Sequence, residues 1–323
     1  MVTATPLICV IVPIYNSEKY LKDTLSTLKI QTYKNIRVIM VNDGSTDNSA
    51  EIALQFADND ARFVYIDHTV NRGSGAAYNT GLAAAYDTEC EYICFLDNDD
   101  LAEAFMVKSL YDTIRVTDAP VAFCEYMSFN EQENKPSNIF GATKGTVLEV
   151  RDSPRLFHTA AQPWNKIYRT EFMRENKDTL RFAERAGLQY ADTSFFVKLL
   201  LTAEHIAICP KRLVYYRIYA GQSMQTSKDP TDPLLDELWE TAKFLTEKGF
   251  DGTPHALCTN YRFVLLYFFF LSKLADEYKA RYKNLMRRYF ADQTGKGNLD
   301  ENWRTLQLYE ENQTTWETER VFD

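Results

Sequence analysis

The 323-residue chain is 45% hydrophobic, enough for a sizeable core in one large domain, or in a domain with an appendage. Its net charge of −9 and pI of 5.2 argue against general nucleic-acid affinity through a basic surface. Six scattered cysteines (Cys9, Cys90, Cys94, Cys124, Cys209, Cys258) include no CxxC pair, which speaks against a zinc site and for reduced core thiols. No secretory signal precedes the first apolar run, and the longest such run, 263–271, is too short to span a bilayer. A cytoplasmic location is expected, with peripheral contact at the inner face of the membrane left open.

The first apolar run, 7–12, reads as a buried strand ending at Pro13. Asn16 or Ser17 caps a helix to about residue 31, with Leu21, Leu25 and Leu28 on one face. A β-branched strand at 36–41 runs into the turn Asn42-Asp43-Gly44-Ser45-Thr46-Asp47, and a helix opens near Asn48. A strand at 63–66 precedes the glycine-rich turn Asn71-Arg72-Gly73-Ser74-Gly75 and a helix at 76–85. The next strand ends at Asp97. Strands alternating with helices in this way predict βαβ units around a mostly parallel sheet, with loops gathered at the strand C-termini. Further on, the pattern predicts a helix at 102–116, a strand at 121–129, a polar loop at 130–138, and a short strand at 146–150. A helix starts near Asp152 with Pro154 in its first turn, and a strand covers 164–169. Then come a helix at 194–202 with Asp192 near its N-cap, and strands at 206–209 and 213–218. Beyond Pro230 the composition shifts to helices at 234–248 and 256–288, with a short one near Asn302.

The stretch Tyr92-Ile93-Cys94-Phe95-Leu96-Asp97-Asn98-Asp99-Asp100 carries the densest chemistry. An apolar run ends in Asp97, Asp99 and Asp100. Close carboxylates repel unless a cation or donors compensate, and carboxylates suit hard divalent ions such as Mg²⁺ or Mn²⁺. A solvated acidic turn capping the next helix is the competing reading. No Gly-x-Gly-x-x-Gly follows the first strand and no Walker A sequence occurs, so standard dinucleotide and P-loop folds are disfavoured.

Taken together, these stretches resemble glycosyltransferase family 2, in its bacterial polysaccharide-type members, over about residues 6–225. Val10-Ile11-Val12-Pro13-Ile14-Tyr15-Asn16 is similar to the family's first strand and turn. Val41-Asn42-Asp43-Gly44-Ser45-Thr46-Asp47 is similar to its base-binding turn, and Phe95-Leu96-Asp97-Asn98-Asp99-Asp100 to its DxD motif. Trp164-Asn165-Lys166-Ile167-Tyr168, Ala191-Asp192, and Tyr216-Arg217 through Gly221-Gln222-Ser223-Met224 follow in the family's order. Two positions depart. Ala77-Tyr78-Asn79 stands where the family has Ala-Arg-Asn, and Ala191 replaces the glutamate of Glu-Asp.

The resemblance implies an α/β GT-A (nucleotide-diphospho-sugar transferase) fold: a mostly parallel central sheet flanked by helices, with a helical C-terminal extension. The expected division is 1–228 for catalysis, with a nucleotide half at 1–130 and an acceptor half at 131–228, then 229–323. It implies an inverting, metal-assisted transfer from a UDP-sugar to a glycan or lipid-linked glycan hydroxyl, in making cell-envelope polysaccharide. Pro13, Tyr15, Asn16, Asp43, Arg72 and Asp97 are the implied nucleotide contacts, with Arg72 standing in for the missing cation. Asp97 and Asp99 are the implied ligands of Mn²⁺ or Mg²⁺, Asp192 the base, and Trp164 and Lys166 the acceptor contacts. The metal's third protein ligand is open. Asp192 as a helix cap only, and Trp164 and Lys166 as core residues, are the alternatives. A helix N-terminus at Asp192 is expected to lower its pKa. The aromatic tail, with Tyr261, Phe263, Tyr267, Phe268, Phe269 and Phe270, is expected to pack as core; an oligomer interface and a membrane contact are the alternatives. A transferase acting on a protein or a teichoic-acid-type polymer, and a non-catalytic sugar-nucleotide-binding protein, are the competing functions.

Overall fold

β1 (Ile8–Ile14) is fully apolar in its first five residues, and all five are wholly buried. A strand with two buried faces belongs in the middle of a covered sheet. The computed structural model places it there, and describes residues 5–130, 132–137, 147–158, 161–184, 191–219 and 231–300. α1 (Leu21–Lys29) follows, then β2 (Ile36–Asp43), α2 (Ser49–Asn59), β3 (Phe63–His68), α3 (Ser74–Tyr86) and β4 (Tyr92–Phe95). β1 pairs in parallel with β2 and β4, and β2 with β3. α3 packs across β1 and β2.

The second half is mixed. β5 (Leu101–Ala102), α4 (Met106–Ile114), β6 (Val121–Phe129), β7 (Asn134–Pro136) and β8 (Val147–Glu149) lead to β9 (Lys166–Arg169) and α5 (Thr170–Glu175). α6 (Ala191–Ala203) and β10 (His205–Arg217) complete the sheet, whose order is β3-β2-β1-β4-β9-β6-β10-β5. β9 is antiparallel to both β4 and β6, while β10 runs parallel to β6.

Several elements differ from the sequence expectation. The helix expected from 102 begins at Met106, because Leu101 and Ala102 pair with β10. The polar segment after β6 contributes β7, which folds back on β6. Pro163–Asn165 form a 3-10 turn, so that strand starts at Lys166. A 3-10 turn, Pro154–His158, stands in place of the helix expected near Asp152. The two late strands merge into β10, with register shifts between Cys209 and Val214 that accommodate Pro210. Asp192 lies within the first turn of α6, not before it.

The C-terminal run forms α7 (Thr231–Glu247), α8 (Pro254–Lys273) and α9 (Asp276–Gly295). The single long helix expected at 256–288 breaks at Leu274 and Ala275, letting α9 return along α8 with Tyr267 stacked on Tyr282 at 5.4 Å. The helix expected near Asn302 falls outside the described residues. Leu238, Phe263, Tyr267, Phe270, Tyr289 and Phe290 make an apolar cluster of their own, whereas Leu245, Ala256 and Cys258 join the main core. α7 also grips α6: Ser194 Oγ donates to the buried Glu237, and Lys198 lies 3.8 Å from Glu240. All six cysteines are buried and unpaired. Among the described residues no helix is long and apolar enough to cross a membrane.

Candidate active site

The C-terminal ends of β1, β2 and β3 meet the turn before α3, and Asp43 is the point of contact. Its buried carboxylate accepts from the backbone amides of Arg72 at 3.0 Å and Gly73 at 2.8 Å. His68 Nδ1 approaches it to 2.7 Å, and the other ring nitrogen lies 2.9 Å from Thr80 Oγ1. Gly73 takes a φ of 93°, in the region that favours glycine, which lets its N–H reach the carboxylate. Gly44 has φ 67°, and a Cβ there would stand 2.6 Å from the Asn71 amide nitrogen. The glycine-rich turn and the turn at 42–47 are therefore two halves of one lock. Asn16, at φ 43°, ties in the first loop: its side chain accepts from the Thr46 amide at 2.8 Å. Pro13 is partly buried near the end of β1, and the Tyr15 ring is 46% exposed beside these loops. The Arg72 guanidinium pairs with Glu184 at 3.0 Å, and Glu184 also accepts from the Asn79 side chain of α3 at 2.9 Å.

The acidic turn follows β4. The Tyr78 hydroxyl donates to Asp97 Oδ1. Tyr219 donates to Asp99 Oδ2 at 3.0 Å, and Arg217 uses Nε on the Asp99 carbonyl at 2.8 Å and its amide on Asp100 Oδ1 at 2.9 Å. The Arg217 guanidinium lies over the Tyr20 and Phe129 rings at 4.6 and 4.8 Å. The end of β10 is thus latched to the acidic turn. The remainder of the expected closing loop, 220–224, lies outside the described residues. Burial, then repulsion from Asp99, pushes Asp97 up to about 7. Burial likewise raises Asp99, and with repulsion from Asp99 and Asp97 it raises Asp100 well above the carboxylate range. Asp100 Oδ2 is buried without a hydrogen-bond partner among the described residues.

Asp192 projects toward the same region, close enough that its charge raises both Asp97 and Tyr78. Burial raises its own pKa, and Arg262, the backbone and Lys166 only partly offset this. The expected lowering by the helix N-terminus is therefore outweighed by desolvation. Lys166 is wholly buried. Its ammonium donates to Gln162 O and to Asn165 Oδ1 at 2.6 Å, and lies 4.5 Å from the Phe123 ring centre. Burial lowers its pKa to about 7. Trp164 is also wholly buried, stacked on Tyr216 at 5.5 Å and edge-on to Tyr126. Both side chains are wholly buried, so neither is exposed to an acceptor in this structure, and Lys166 is near enough for its charge to act on Asp192.

The acidic turn suits a divalent cation on its own evidence. Buried carboxylates forced toward protonation, one oxygen of them orphaned, are a negative site lacking its compensation. Among the described residues no cluster of three or more His, Cys, Asp or Glu side chains is disposed to hold a metal. A cation here would take one or two carboxylates and complete its shell from substrate oxygens, as Mg²⁺ commonly does. His68, Tyr78 and Tyr219 were not among the candidates read from the sequence. Of these, only Tyr78 left a signal, as a departure from the family pattern.

A model of the family described as glycosyl transferase family 2 matches residues 9–183. Glycosyltransferase GlyA of Streptococcus pneumoniae is 33% identical over 261 residues, covering 77% of this chain and 36% of GlyA, so the chain spans about a third of that protein. Putative glycosyltransferase EpsH of Bacillus subtilis is 30% identical over 255 residues, covering 76% of this chain and 71% of EpsH. Among solved structures, S. aureus TarS 1-349 in complex with UDP-GlcNAc superposes with a TM-score of 0.73 at 21% identity, over 95% of this chain and 92% of that one. The central sheet, its flanking helices and the helical C-terminal region thus match the GT-A architecture expected from the resemblance, but the sheet is mixed and not mostly parallel: parallel pairing is confined to β1–β4 and to β6 with β10.

Proposed function

The chain belongs to glycosyl transferase family 2, and on that premise we propose that it transfers a sugar from a UDP-sugar to a hydroxyl of a glycan acceptor, in building a cell-envelope polysaccharide. The observation that carries this reading is the buried acidic turn after β4, bonded by Tyr78, Arg217 and Tyr219, with the charge of Asp192 acting on Asp97. UDP-GlcNAc is the first donor to test, since the S. aureus TarS structure holds it.

In this reading the exposed Tyr15 ring and Asp43 lie against uracil, with the carboxylate accepting from the base N3–H. Asp97 and Asp99 would hold the ribose and a divalent cation of the Mn²⁺ or Mg²⁺ kind, which when bound would supply Lewis-acid stabilisation to the departing diphosphate. Asp192 takes the proton of the acceptor hydroxyl as its oxygen attacks the anomeric carbon. The bond from that carbon to the diphosphate oxygen breaks, and UDP leaves. One base opposite the leaving group gives inversion at the anomeric carbon. The raised pKa of Asp192 strengthens it as a base, since proton transfer is most effective when the catalytic pKa approaches the working pH. Lys166 and Arg262 act through Asp192, as charges near it, and not through the acceptor.

A panel of UDP-sugars with Mn²⁺, followed by UDP release with and without glycan acceptors, tests the proposal. Release from at least one UDP-sugar is expected. No release from any of them, together with no UDP binding, would leave the family assignment standing and remove the donor.

A further inference from the structure

Tyr78 sits where the family pattern places an arginine, and its surroundings give it a definite task. α3 lays its ring parallel to Phe182 at 4.5 Å and edge-on to Phe95, the last residue of β4, at 5.4 Å. Phe182 in turn stacks on Phe195 of α6 at 4.1 Å. The neighbouring Asn79 side chain clamps residue 182 from both sides, donating to its carbonyl at 2.8 Å and accepting from its amide at 3.0 Å. The ring is therefore packed between Phe182 and Phe95. At its tip the hydroxyl donates to Asp97 Oδ1. A buried phenol fixed in this way sets the rotation of the carboxylate it touches, whereas a flexible cation at the same position would bind the ligand itself.

We infer that Tyr78 is a positioning residue: its hydroxyl fixes the Asp97 carboxylate in the orientation that receives the nucleotide-sugar donor and its metal. This rests on the donor reading above. It gives Tyr78 a role on the donor side, acting through Asp97, with no direct part in proton transfer. Donors that orient a ligating carboxylate are typically worth about 10- to 100-fold in metal affinity or activity.

The test is a double-mutant cycle on UDP affinity, measured by calorimetry with Mn²⁺ and followed into the millimolar range. Tyr78→Phe keeps every ring contact and is expected to bind UDP about 10- to 100-fold more weakly than the parent. Asp97→Ala is expected to weaken binding as well, and adding Tyr78→Phe to it should change little, because the carboxylate to be oriented is gone. Tyr86→Phe is the control: it removes another hydroxyl of α3, the one that donates to the Met173 carbonyl at 3.2 Å, and should leave UDP affinity near that of the parent. Parent-like binding by Tyr78→Phe, an undiminished Tyr78→Phe effect in the Asp97→Ala background, or an equal loss in Tyr86→Phe would each overturn the role of Tyr78 alone. Absence of UDP binding in the parent would overturn it together with the donor reading.

Discussion

His68 Nδ1 lies 2.7 Å from Asp43 Oδ1, and both side chains are buried. A carboxylate only accepts, so the ring donates through Nδ1, and its second nitrogen meets Thr80. Asp43 is thereby held by β3 as well as by the two amides before α3. Replacing His68 with leucine removes a donor to a buried carboxylate. Hydrogen bonds to charged groups contribute about 1.5–3 kcal/mol. His68→Leu should therefore lose about that much in a urea titration, and a midpoint equal to the parent's would show that the two amides suffice.

Asp43 is also where base discrimination should reside. The parent is expected to bind UDP more tightly than GDP or ADP. Asp43→Ala should shrink that preference by about 10-fold, consistent with the loss of one charged hydrogen bond. The ratio matters more than the absolute affinity, because Asp43 also holds the loop. Equal binding of the three diphosphates by the parent would contradict this assignment.

Lys166 predicts a pH dependence of stability. Its ordinary value is 10.5, and burial lowers it to about 7 in the folded protein. Between those values the unfolded chain binds the extra proton, so stability rises as pH increases from about 7 toward 10.5. Lys166→Met removes this contribution. The parent should gain stability relative to the variant across that window, measured by denaturant unfolding at several pH values. A constant difference would show that the buried ammonium does not titrate as described.

Much of this was legible in the sequence. The strand at 36–41 is a largely β-branched run, buried on both sides apart from Arg37, which leaves little else it can form. The acidic turn was visible because it directly follows such a run. Other features depend on tertiary partners. Leu101 and Ala102 look like a helix start but pair with Val214 and Tyr215. Leu274 and Ala275 contain no glycine or proline to mark a helix break; the break comes from α9 packing back on α8. His68 is a lone histidine whose partner lies 25 positions away. Lys166 and Trp164 have the residue types of a sugar cleft, and only the structure shows that β9 and the turn before it carry them inward.

Asp192→Asn isolates the chemical step. The amide keeps the shape and the helix contacts but not the basicity. UDP and metal binding should stay near the parent, while transfer falls by about 10²-fold or more. Parent-like transfer by a folded Asp192→Asn would mean that another group takes the proton.

The most direct measurement is calorimetric titration of UDP into the parent and into Asp99→Ala, each with Mn²⁺ and again with the metal chelated. The account predicts binding by the parent that weakens sharply on chelation, and weak binding by Asp99→Ala that chelation leaves unchanged. Equal UDP affinity in the parent with and without metal, or Mn²⁺-dependent binding preserved in Asp99→Ala, would contradict it.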